Sequence, residues 1–158
     1  MKTLETKIPP PLIIIVTGAL MWLPAAWLPN HPLLTDWFSE RWSYPVITLL
    51  GVITLGLFIG ALKAFKKART TVNPHVPSKS SALLTEGVFS ISRNPLYLAM
   101  LLILICWGLW LGNLISIVLS SGFVLYLTPL QIIPEERALQ AKFGDEFSEY
   151  KRQVRRWI

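Results

Sequence analysis

Between Arg93 and Glu135 the chain carries no charged side chain. The run opens with Arg93-Asn94-Pro95-Leu96-Tyr97, closes with Pro134-Glu135-Glu136, and is broken near its middle by Gly112-Asn113. A hydrocarbon core about 30 Å thick needs roughly 20 apolar residues per helix, and about 17 can suffice. The run therefore predicts two spanning helices, 95–111 and 114–133, joined as a hairpin that returns Glu135 to the membrane face where Arg93 sits. Two earlier apolar runs, 11–28 and 45–62, predict a first pair of spans. Pro24 bends the first of them, because proline removes a helix hydrogen bond.

Beyond Pro134 the pattern changes. Leu139, Phe143, Phe147, Tyr150, Val154 and Trp157 recur at steps of three and four, which makes one apolar helical stripe with charge on the other face. Pro134 suits a first helical position, and Glu135 and Glu136 suit the positive end of the dipole. Gly144 is expected to break this helix in two. A stripe of this kind predicts an interfacial helix, with Arg152, Arg155 and Arg156 meeting lipid phosphate. Between the two pairs of spans, Lys63, Lys66, Lys67 and Arg69 end the second helix, where cations suit the carboxyl end and the headgroups. Pro74 and Pro77 then forbid regular helix. A short helix or turn is expected over 80–85, with Gly87 as its cap.

The expected fold is all-α. It is a polytopic membrane protein with four transmembrane helices in two hairpins, a cytoplasmic linker and a C-terminal amphipathic interfacial helix. It reads as a single membrane domain, divided into the N-terminal hairpin 1–62, the linker 63–94, the second hairpin 95–133 and the tail 134–158.

Composition agrees. Of 158 residues, 53% are hydrophobic and 15% charged, and the mean hydropathy is +0.50. Soluble domains carry nearer a quarter charged residues. Of the 15 Lys and Arg residues, only Arg41 falls between the first two spans, and none falls at Gly112-Asn113. The positive-inside rule then places both termini, the linker and the tail in the cytoplasm. Trp22, Trp27, Trp37, Trp42, Trp107 and Trp110 would form an aromatic belt at the outer interface. The first span lacks a small-x-small cleavage site and is not expected to be a cleavable signal peptide. The net charge of +6 suits anionic lipid, and because the cations hug span ends, no nucleic-acid partner is expected. The single Cys106 reads as a small core residue, and no metal cluster is expected.

No Ser-His-Asp set, phosphate loop, Cys/His metal spacing or dinucleotide fingerprint is present. His31 and His75 stand in loops without partners for catalysis. The candidate chemistry is the polar rim of the charge-free run: Arg93, Asn94 and Tyr97 at one end, Glu135 and Glu136 at the other. Taken by residue type, this rim reads either as a functional cluster or as snorkelling and pairing side chains that only anchor helix ends.

Several segments in order carry a resemblance: Leu83-Leu84-Thr85-Glu86-Gly87-Val88-Phe89, Arg93-Asn94-Pro95-Leu96-Tyr97, the hairpin, Glu135-Glu136, and Phe143-Gly144-Asp145-Glu146-Phe147. From about Thr70 to Trp157 the chain resembles the isoprenylcysteine carboxyl methyltransferase and phospholipid methyltransferase superfamily. The resemblance implies an integral membrane enzyme that uses S-adenosylmethionine on a lipophilic acceptor: a prenylcysteine carboxylate, a lipid amine or another lipophilic small molecule. It implies cofactor contacts at Ser81, Ala82, Leu83, Leu84, Phe89, Asn94, Pro95, Leu96, Tyr97 and Glu135. Arg93 and Gln131 would face the substrate, and Arg93 and Tyr97 are the catalytic candidates. Three positions depart from the family pattern: Asn94 stands for histidine, Ala99 for glycine, and neutral Gln131 for an arginine that would hold a substrate carboxylate. Two other readings stand beside it: an NADPH-dependent membrane reductase of related architecture, with Lys66, Lys67 and Arg69 supplying charge, and a non-enzymatic four-helix scaffold. Ion-coupled transport is disfavoured, because no expected span holds an ionisable side chain.

Overall fold

The computed structural model describes residues 8–28, 40–68 and 82–158. Every regular element among them is helical. Helix α1 is Pro10–Trp27, opened by prolines that need no donor at a first turn. It runs through Pro24, and Leu28 N–H closes the last turn on the Pro24 carbonyl at 2.9 Å. Helix α2 is Glu40–Lys67. It outruns the apolar stretch 45–62 at both ends, since Lys63, Lys66 and Lys67 are good helix formers and their charge suits a carboxyl end. A 3-10 turn, Gly87–Ser90, leads to α3, Pro95–Trp110. Asn113 then caps α4, Leu114–Leu127, by accepting from Ser116 N–H at 3.1 Å. A π turn, Thr128–Ile132, joins α4 to α5, Ile133–Gln153. Pro129 has no N–H to give, which favours a widened turn here.

Among the described residues three stretches are long and apolar enough to cross a membrane: Pro10–Trp27, Ser43–Lys67 and Leu114–Gln153. Helix α3 is as apolar but has 16 residues, about 24 Å at 1.5 Å per residue. Large apolar side chains such as Ile15, Leu49, Val52, Leu55 and Val118 face outward. A surface of that kind belongs against lipid rather than water.

Helix α3 sits at the centre, with α2 on one side and α4 on the other, and α1 lies along α4 and α3. The pairing departs from expectation: α1 and α2 read from sequence as one hairpin, yet each takes a different helix as its main neighbour. In lipid, helix association rests on close approach and hydrogen bonds. Both appear here. At Gly108 a Cβ would come within 2.9 Å of the Ile117 side chain and 3.1 Å of its Cα, so α3 and α4 nearly touch backbones. Ser116 Oγ donates to the Met21 carbonyl at 2.5 Å, and Trp107 Nε1 donates to the Gly18 carbonyl at 3.1 Å. Trp107 thus ties α1 to α3 and packs on the core, unlike the exposed Trp22, Trp27 and Trp110. Cys106 is half-buried, with Sγ 3.9 Å from the Ile47 carbonyl of α2.

Two further expectations are corrected. Of the short helix or turn expected over 80–85, residues 80 and 81 lie outside the described residues and 82–85 form no helix; Gly87, at φ +63°, opens the 3-10 turn instead of capping a preceding element. The tail helix ends at Gln153, not near Trp157. Gly144 does kink it, at φ +53°. Part of its stripe is buried in the protein: Phe147, Tyr150 and Val154 pack with Leu83 and with the half-buried Leu139 and Phe143 of the same stripe. Arg69, His31, Trp37, His75 and Ser81 lie outside the described residues, as does the side chain of Trp42.

Candidate functional site

The hairpin of α3 and α4 has a closed end at Gly112-Asn113 and an open end where polar residues collect. Pro95 starts α3, and Tyr97 lies in the first turn, 8% exposed. On the other arm the π turn rotates Gln131 inward, 2% exposed, and delivers Glu135 and Glu136 in the first turn of α5. Tyr97 Oη donates to Glu135 Oε1 at 2.7 Å, and Gln131 Nε2, one turn before it, donates to the same oxygen. A buried carboxylate is tolerated when hydrogen bonded, and here both donors are neutral.

Glu136 has the opposite company. Arg156 grips it with Nε on Oε1 at 3.0 Å and Nη2 on Oε2 at 2.7 Å. Arg93 Nη2 reaches Oε1 at 3.0 Å. The two-pronged fork is the strong geometry for a carboxylate. Its hydrogen bonds to Glu136 hold the Arg156 guanidinium above its ordinary pKa. Burial pulls Arg93 below its own, against the opposing pull of Glu136. Arg93 Nε and Nη1 are buried without a hydrogen-bond partner among the described residues. Donors left so are costly and fit an anionic ligand oxygen.

The segment 154–158 crosses this end. Arg93 N–H donates to the Arg155 carbonyl at 3.1 Å. The Arg156 carbonyl accepts from Asn94 Nδ2 at 2.9 Å and Ser92 Oγ at 3.3 Å. Trp157 Nε1 donates to Thr128 Oγ1 at 3.3 Å. Arg156, expected at lipid phosphate, is therefore committed to Glu136. Sequence reasoning missed Ser92, Tyr150, Arg156 and Trp157. The helical spacing of Val154 and Trp157 masked the turn away from helix, and no glycine or proline marks it.

Of the candidates read from sequence, Tyr97, Gln131 and Glu135 form one network. Arg93 joins the adjacent ion cluster, and Asn94 holds the 154–158 segment. Pro95 is buried as the start of α3, with Leu96 beside it half-buried. Phe89 is buried edge-on to Phe65, ring centroids 5.6 Å apart, and its carbonyl accepts from Tyr150 Oη at 2.6 Å. Ala82, Leu83 and Leu84 are half-buried, with Leu83 against the tail stripe. Leu83 and Phe89 thus meet α5, one through its apolar stripe and the other through Tyr150. Among the described residues no group of His, Cys, Asp and Glu could hold a metal ion.

Known proteins match parts of the chain in sequence. An uncharacterized protein of Haemophilus influenzae is 48% identical over 63 residues, which is 40% of this chain and all of that protein. The protein-S-isoprenylcysteine O-methyltransferase of Schizosaccharomyces pombe is 28% identical over 108 residues. That match covers 66% of this chain but only 45% of the yeast enzyme. No solved structure matches. Residues 44–146, which include the hairpin, both glutamates and most of α5, match the phospholipid methyltransferase family. The chain belongs to that family.

Proposed function

We propose that the protein transfers a methyl group from S-adenosylmethionine to a lipophilic acceptor at the open end of the α3–α4 hairpin. The observation that carries this reading is the Tyr97–Gln131–Glu135 network, a carboxylate held by neutral donors where two apolar helices end. Bound S-adenosylmethionine supplies a methyl group on a positively charged sulfur, so transfer discharges a cation and needs no metal. The residues present fit such a group. Glu135 suits a cationic or hydroxyl-bearing ligand, and the unpartnered donors of Arg93 suit an anionic oxygen.

In this reading Ala82, Leu83, Leu84 and Phe89 wall the adenosine, and Asn94, Pro95, Leu96, Tyr97 and Glu135 meet its polar groups. The role of the protein is to hold nucleophile, methyl and sulfur in line in a site that excludes water. Four spans, with α3 as the short central one and both termini cytoplasmic, would open the site to the cytoplasm for the donor and to lipid for the acceptor. An apolar groove between α1 and α4, about 360 Å³ and lined by Leu12, Ile13, Val16, Leu119 and Tyr126, supports an acceptor with a hydrocarbon part.

Charge favours a neutral or amine acceptor over a carboxylate. Gln131 brings no cation to Glu135, and Glu136 already engages Arg93 and Arg156. The test is label transfer: purified protein in lipid vesicles, methyl-tritiated S-adenosylmethionine, and vesicles with or without phosphatidylethanolamine or a prenylcysteine. Label in an extracted lipid or prenylcysteine supports the reading. No label in either, with no donor binding, contradicts it.

A further inference from the structure

We infer that Arg156 is a positioning residue of this site, and that the segment 154–158 is part of the site and not a surface tail; the inference rests on the methyl-transfer reading above. The two arms that carry the site are joined covalently only at Gly112-Asn113, the far end of the hairpin. Nothing in that connection fixes the spacing of Tyr97 and Glu135 at the open end. Arg156 does so from both sides. Its guanidinium grips both oxygens of Glu136, the immediate neighbour of Glu135. Its carbonyl holds Asn94 and Ser92, which precede α3. The flanking residues add a bond each way, from Arg93 N–H to Arg155 and from Trp157 to Thr128 at the start of the π turn. Trp157 also packs against the core clusters that contain Tyr97 and Leu98.

The grip depends on the planar fork. A lysine offers one ammonium and cannot span two carboxylate oxygens in the same fixed geometry. With the fork gone, Glu136 is left to Arg93 alone, the first turn of α5 is free to rotate, and Glu135 loses its register with Tyr97. Arg152 supplies an internal contrast. It lies four residues earlier and pairs with Glu149 on the surface.

The test is binding of S-adenosylhomocysteine by the full chain in detergent, read by titration calorimetry. The set is wild type, Arg156→Ala, Arg156→Lys and Arg152→Ala, with circular dichroism on each. Arg156→Ala is expected to bind about tenfold more weakly or worse, a factor typical of one lost charged contact. Guanidinium added at low millimolar concentration should restore part of the loss. Arg156→Lys should recover only partly, and Arg152→Ala should match wild type. Binding by Arg156→Ala within twofold of wild type overturns the inference while leaving the methyltransferase reading intact. If the alanine variant loses its helical signal, the lysine variant decides, and full affinity there overturns the inference. A wild-type protein that binds neither this ligand nor S-adenosylmethionine overturns both.

Discussion

Tyr97 and Glu135 meet through a 2.7 Å hydrogen bond although 38 positions separate them in sequence. The bond closes the open end of a hairpin whose arms are otherwise apolar, and it places a carboxylate beside a phenol at the edge of a lipid-facing core. Removing the donor with Tyr97→Phe keeps the ring and its packing. Loss of one hydrogen bond to a charged group is worth about 1.5–3 kcal/mol, so S-adenosylhomocysteine affinity is expected to fall about tenfold or more. Calorimetry on protein with unchanged circular dichroism checks this.

Glu135 and Glu136 should separate function from stability. Glu136 lies between two arginines and is 14% exposed in its side chain. Glu136→Gln leaves two like charges without their counter-ion, which costs about 3 kcal/mol for a buried pair. Thermal unfolding in detergent should show a clear drop in midpoint. Glu135→Gln, with only neutral partners to lose, should unfold near the wild-type temperature and bind donor poorly. Equal behaviour of the two variants in both assays would contradict the division of roles.

Gln131 makes a prediction about the acceptor. Gln131→Arg sets a cation against Glu135 and, on the resemblance read from sequence, restores the carboxylate-binding residue. The ratio of methylation of a prenylcysteine to that of a lipid amine is expected to rise about tenfold or more, the size of one charge-assisted contact. A ratio unchanged from wild type would remove Gln131 from acceptor choice.

The helix contact at Gly108 is a packing prediction free of chemistry. Gly108→Val must push Ile117 and its backbone aside, since a Cβ alone already comes within 3.1 Å of Ile117 Cα. Overpacking of this kind costs about 1–3 kcal/mol. The unfolding midpoint should drop, and Gly122→Val, where a Cβ meets nothing within 4 Å, should change it little.

The helices themselves were legible because hydropathy and proline placement are local signals. Pro95, Asn113 and Pro134 mark starts that the structure keeps within a residue. The rim was legible too, since a charge-free run flanked by Arg93 and Glu135 can only bring its ends together. Helix pairing was not. Which helix α1 chooses depends on Met21 meeting Ser116 across 95 positions and Gly18 meeting Trp107 across 89, and no periodicity records that. The role of 154–158 was hidden for a related reason. Val154 and Trp157 continue the helical spacing of the tail, but long-range bonds to Ser92, Arg93 and Asn94 outweigh one more helical turn. Gln131 was read as a substrate contact, and its burial on a π turn beside Glu135 could not be seen without the turn.

The central claim is that the Tyr97–Gln131–Glu135 network holds the methyl donor. Titration of S-adenosylmethionine into wild type and Glu135→Ala, at matched helical content, tests it most directly. Saturable binding to wild type is expected, with a loss of about tenfold or more in the variant. Binding that is absent in wild type, or equal in the two proteins, would contradict it.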